Sequence, residues 1–148
     1  MNFNEFMFNV DDIKSKNPIW FMLDSDPVGT DNQIKVTQLH LSLSLPEEYK
    51  VFIKTFGGGF FAFVNIFSVN KESNWNIVEQ NNRLGLKNSH NFLAISDSGT
   101  GDFYGFEIVN GVCSPAIKVY DHEKNQVEST VYENLYDYLV AVGLKVKK

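Results

Sequence analysis

The chain has 148 residues, is 43% hydrophobic, and sets 13 Lys plus Arg against 18 Asp plus Glu, a formal net charge of −5. That length predicts one domain able to bury a core without metal or disulfide staples. The acidic balance, with no clustered basic face, excludes direct binding of nucleic acid phosphates from the expectations.

A lone cysteine, Cys113, cannot close an internal disulfide, so a reducing, cytoplasmic compartment is expected. The opening MNFNEFMFNVDDIK lacks the basic start of a secretory signal, and no apolar run approaches the roughly 20 residues that span a bilayer, so no membrane partner is expected. Thirteen Phe, six Tyr and two Trp predict an aromatic core.

Phe3, Phe6, Met7, Val10 and Ile13 recur at helical spacing, and Pro18 ends that element. IWFML at 19–23 reads as a short strand, and DSDPVGTDN at 24–32 as a loop. IKVTQLHLSLSLP fits two periods. Leu39, Leu41, Leu43 and Leu45 alternate like a strand, while Val36, Leu39 and Leu43 share a helix face. PEEYKVFIKTF predicts a helix, with Pro46 and two glutamates in the first turn, Tyr49, Phe52, Ile53 and Phe56 on one face, and Gly57–Gly59 as its stop.

FFAFVNIFSV at 60–69 is apolar on both alternating faces and reads as one central strand covered on both sides. SNWNIVEQNNRLG predicts a serine-capped helix ended by Gly85. Strands follow at 92–96 and 102–109, Asn110-Gly111 marks a hairpin turn, and 115–123 is the returning strand. A last helix carries Leu135, Tyr138, Leu139 and Val142, with KVKK at 145–148 complementing its negative end. The order predicts an α+β single domain over 1–148, with a central, mostly antiparallel sheet packed by N-terminal, inserted and C-terminal helices.

The stretch AISDSGTGDFYGFEIVNG at 94–111 invites a phosphate or metal reading. Phosphate-cradling glycines stand at a helix N-terminus, but this loop lies between two strands and has neither the dinucleotide spacing nor a following Gly-Lys-Ser/Thr. It reads as a turn in which Asp97 and Asp102 bond local amides. As an acid–base or metal pair these carboxylates would need facing partners, and the window lacks the ligand alternation of a calcium loop.

His40, His90 and His122 show no zinc-helix spacing, and His122 between Asp121 and Glu123 reads as part of a solvated turn. Cys113 has no signalled base and reads as a small semi-buried residue. Trp75, among asparagines, is either an exposed anchor or a residue packing its helix onto the sheet. Tyr104 and Tyr120 are either buried or displayed. No catalytic residue, cofactor or metal is assigned.

LPEEYKVFIKTFGGG at 45–59 resembles the Leu-Pro…Tyr…Phe…Gly-Gly segment of the SUKH superfamily, which includes yeast cell-wall assembly regulators and many bacterial immunity proteins. FLAISDSGTGDFYGFEI at 92–108, VYDHE at 119–123 and VYENLYDYLV at 131–140 resemble its later strands and final helix, so the likeness covers about 30–142 in order. Phe56 stands where the family usually has Asn before the glycine pair.

The resemblance implies a non-catalytic immunity protein that binds the catalytic domain of a cognate toxin, commonly a nuclease, whose basic surface an acidic face would steer. Other readings are a general interaction or scaffold module of the same fold, and a small enzyme or ligand-binding domain using Asp97, Asp102 and His122. The partner-binding candidates are Asp97, Asp102, Glu107, Asp121 and Glu123, with Trp75 and Tyr104 as aromatic anchors. The expected oligomeric state is a monomer or weak dimer.

Overall fold

A computed structural model describes residues 1–147; Lys148, the end of the basic tail, lies outside them. Helix α1 spans Phe3–Lys16 and opens with a capping box. Asn2 Oδ1 accepts from the Glu5 amide at 2.8 Å, and Glu5 Oε1 accepts from the Asn2 amide. Its inward face buries Phe6 and Val10.

The strand expected at 19–23 is instead a 3₁₀ turn over Pro18–Phe21. Pro18 presets the first helical φ where no amide is needed, and five apolar residues are too few for periodicity to separate strand from turn. Strand-like pairing comes only later, where Ser25 bridges Gly59.

The ambiguous segment is helical as far as Leu41. Helix α2 spans Asp31–Leu41, and Thr30 and Gln33 form a second capping box. Ser42, at φ 55°, ends it, and Leu43 and Leu45 follow into the core. Helix α3, Glu47–Phe56, buries Tyr49, Phe52 and Ile53. The Tyr49 hydroxyl donates to the Phe67 carbonyl at 2.6 Å, and full burial pushes its phenol pKa upward.

One six-stranded sheet follows, antiparallel throughout and in sequential order: β1 Gly59–Phe61, β2 Val64–Ile66, β3 Phe92–Asp97, β4 Phe103–Val109, β5 Val112–Asp121 and β6 Gln126–Ser129. The single central strand expected at 60–69 is thus a short hairpin at the sheet edge. Its turn runs through Ala62 at φ 51°, a left-handed position with no glycine or asparagine to announce it. The hairpin turn at Asn110-Gly111 has both residues at positive φ, and β5 already begins at Val112.

The inserted helix is two helices, α4 Ile77–Leu84 and α5 Leu86–His90, with Gly85 left-handed between them. Asn76, not a serine, caps α4 through Oδ1 contacts to the amides of Val78 and Glu79. Strand β2 meets β3 at the single pair Ile66–Ser96. Beyond it the fully buried amide of Asn81 takes the place of a strand, donating to the Ala94 carbonyl at 2.8 Å and accepting from the Ala94 amide at 2.9 Å.

The final helix is one α turn, α6 Leu135–Tyr138, continued as a π-type turn over Leu139–Gly143, with the Leu144 amide donating to the Leu139 carbonyl. It ends before the basic tail. Lys145 lies over the Phe63 ring at 5.1 Å instead of extending the helix. Phe6, Phe52, Phe61, Tyr136 and Tyr138 belong to the core that joins α1, α3 and α6 to the sheet.

Candidate functional site

The β3–β4 loop and the β5–β6 turn meet at one end of the sheet because the β4–β5 register sets Phe103 opposite Tyr120. Asp97 Oδ1 accepts from the Gly99 amide at 2.8 Å, the local turn bond expected of it. Asp102 differs from expectation. Its Oδ1 accepts from the His122 amide at 3.0 Å and lies 2.6 Å from His122 Nδ1, so it ties two distant loops together. Gly101 makes room for this pair, since a Cβ there would lie 2.9 Å from the imidazole. Asp121 Oδ1 accepts from the amides of Glu123 and Lys124, tightening the second turn.

The hydrogen bond from His122 lowers the Asp102 pKa, and the same bond, helped by the negative charges of Asp102, Glu123 and Asp121, raises that of His122. The raised imidazole contributes stability that is complete below its unfolded value of 6.5 and is lost as pH rises through the folded value. The lowered carboxyl contributes above its unfolded value of 3.8, and its share is lost as pH falls through the folded value. Both groups therefore hold the loops together at mildly acid to neutral pH. An NMR titration of the His122 ring is expected to show a midpoint above 6.5 that falls back toward 6.5 in Asp102→Asn. An unchanged midpoint would mean that the pair does not form.

One ligand atom each from Asp102, Asp121 and His122 lies within 4.8 Å of the others. A histidine with two carboxylates is a donor set some divalent metals accept. Here Nδ1 faces Asp102 Oδ1, Asp121 Oδ1 is engaged by two amides, and the group sits at a partly exposed turn. Chemically the arrangement is a charge-assisted loop clasp that displays carboxylates.

The structure brings Asp97, Asp102, Asp121 and Glu123 to this end of the sheet and leaves three expected residues elsewhere. Glu107 stands opposite Phe92, farther along β4. Tyr104 packs its ring on Tyr138 at 4.8 Å, facing the helices. Trp75 packs edge-on against Phe60, and its ring fills the space above Gly59. Cys113 is buried, and burial pushes its thiol up to about 12, which keeps it protonated and non-nucleophilic at neutral pH.

Sequence reading missed an exposed apolar ridge. Ile19 on the 3₁₀ turn, Met22 and Leu23 directly after it, and Phe63 are all exposed, and the Phe63 ring lies 4.7 Å from that of Trp20. The five large apolar side chains of 19–23 were the available signal, but a strand reading hides about half of them by alternation.

The class defined by these features is an α+β domain in which a sequential antiparallel sheet is backed by helices and joined by acid-rich loops at one end. Residues 31–139, well over half of the chain, match the family described as SMI1-KNR4 cell-wall, and the chain belongs to the SUKH superfamily. Among curated proteins no relative matches the chain. No helix among the described residues is long and apolar enough to cross a membrane.

Proposed function

We propose that the chain is a cytoplasmic bacterial immunity protein that binds and neutralises the catalytic domain of a cognate toxin, a nuclease by preference, without chemistry of its own. The family supports a protein-binding role. The observation that carries the reading is the convergence of Asp97, Asp102, Asp121 and Glu123 on two loops fastened to each other. Fixed carboxylates on a rigid rim accelerate encounter with a basic partner and repel acidic ones.

The test is association with the C-terminal domain encoded by the adjacent toxin gene, with growth arrest scored in parallel. Wild type is expected to bind and rescue. Reversing Asp97, Asp121 and Glu123 to Lys is expected to slow association by about tenfold or more at low salt, with the difference shrinking as salt rises. Glu107→Lys serves as the distant control. An equal effect of the distant change would remove the acidic rim from the interface.

A second reading, a general interaction or scaffold module, draws on the exposed ridge of Ile19, Met22, Leu23 and Phe63. It predicts a stable host partner, no binding to the neighbouring toxin, and loss of that host partner when Met22 and Phe63 are changed to Ser.

A further inference from the structure

Strand β6 is the outer strand of the sheet, and among the described residues nothing beyond β5 hydrogen-bonds its main chain. Two other borders of the sheet are closed. Segment 24–26 runs along β1, where the Asp26 amide donates to the Gly58 carbonyl and the Phe60 amide to the Asp24 carbonyl, each at 3.0 Å. Ser44 covers the start of β5, its amide donating to the Gly111 carbonyl at 2.8 Å and its carbonyl accepting from the Cys113 amide at 3.0 Å. Open edges are usually blunted by lysine, proline, a bulge or a covering loop. Gln126–Ser129 contains neither lysine nor proline and pairs with β5 without a register shift.

We propose that β6 receives an extended segment of the protein partner, alternating basic and β-branched apolar residues, as a further strand of the sheet; the inference rests on the protein-binding reading above and names how the partner is held. Main-chain bonds would supply affinity, and alternate side chains the choice of segment. Two rows of side chains end at this edge. Phe103 faces Tyr120, and Tyr120 faces Val127, which packs half-buried against the core. A residue beside Val127 on an added strand extends that row, which suits Val or Ile. Tyr104 faces Val119, and Val119 faces Glu128, so the neighbour there meets a carboxylate. Glu128 is held by Lys124 at 3.4 Å, an exposed pair that a partner's Lys or Arg can replace. Lys118, the other cation beside the strand, donates to Ser129 Oγ at 3.0 Å. The strand starts from the turn that carries Asp121 and Glu123, so a basic segment is drawn to the same end of the sheet as the acidic loops. A second copy of this chain would bring another Glu128 and a net charge of −5 to an edge already acidic.

Two experiments on the full chain test this. In the first, amide hydrogen exchange is followed with and without the toxin domain. The alternate amides of 126–129 that β5 leaves free are expected to slow about tenfold or more in the complex. Unchanged exchange there in a complex that forms overturns the proposal. Slowing of the same amides with rising protein concentration and no partner present assigns the edge to a second copy and overturns it as well. In the second, acetyl-Lys-Val-Lys-Val-Lys-amide is titrated into the protein and read by amide NMR. Saturable shifts are expected at Gln126–Ser129. Binding is expected to be about tenfold weaker for the peptide with Glu in place of Lys, and for the Lys peptide N-methylated throughout its backbone, which keeps the charges but cannot pair. No saturable shift at these residues, shifts confined to the acidic turns, or equal binding of the methylated peptide overturns the proposal.

If wild type binds the toxin domain with the β6 amides unprotected, the added strand is overturned and immunity stands. If wild type does not bind the toxin domain, immunity fails, and the peptide titration alone decides the edge.

Discussion

Gly57→Ala is expected to destabilise the protein by about 3 kcal/mol or more, read as a lowered urea midpoint. Gly57 closes α3 at φ +90°, and its amide donates to the Ile53 carbonyl at 3.0 Å. A Cβ at this position would lie 2.1 Å from the Asp26 carbonyl oxygen and 2.6 Å from that of Pro27. Both are backbone atoms and cannot swing aside. They are also held in place, because the Asp26 amide donates to the Gly58 carbonyl and the Phe60 amide donates to the Asp24 carbonyl. Left-handed strain of about 1–3 kcal/mol and overpacking of similar size therefore fall on one substitution. Gly85→Ala provides the control. Gly85 is left-handed at φ +71° with nothing within 4 Å of the added carbon, so only the conformational part remains, about 1 kcal/mol. Equal costs at the two positions would mean that segment 24–27 does not pass close over the end of α3.

That close passage illustrates what sequence could and could not carry. Helices α1 and α3 were legible because their apolar residues repeat at helical spacing and their ends carry Pro18, Pro46 and Gly57. The β4–β5 hairpin was legible because Asn110-Gly111 is a turn by local chemistry. In 60–69 a run apolar on both faces serves a buried strand and a covered hairpin equally, and Ala62, at φ 51°, is not a residue whose local chemistry announces a left-handed turn. Serine and asparagine are comparable caps, so the choice of Asn76 for α4 waited on where the helix could lie against β3. Strand β6 escaped notice because four mostly polar residues at an edge have no apolar alternation to display.

At the acidic loops the Asp97 turn could be read locally, through the short reach of Asp97 to the amide of Gly99. The partner of Asp102 could not. His122 is brought to it by the pairing of Phe103 with Tyr120, and register across a hairpin is a property of two strands packed on one core. The same limit applies to Tyr104, whose alternation left both faces open until Tyr138 took one of them.

Phe6→Ala is expected to cost about 3–5 kcal/mol, while Phe8→Ala stays within about 0.5 kcal/mol. The two rings are on one helix, two residues apart, and differ only in direction. Phe8 is 74% exposed. Phe6 is fully buried, stacked on Tyr136 at 4.8 Å and set against Phe56 and Phe61, each at 6.0 Å. One side chain thus touches α3, β1 and α6, and its removal leaves a cavity that three separate elements would have to move to fill. The prediction bears on the extent of the domain, because α1 lies wholly before the matched residues 31–139. Asn134 adds a second tie, donating from Nδ2 to the Met1 carbonyl at 2.8 Å. A large cost at Phe6 with a single cooperative transition makes α1 part of the same folding unit as the SUKH core. A cost at Phe6 as small as that at Phe8 would make α1 an appendage to a core that folds without it.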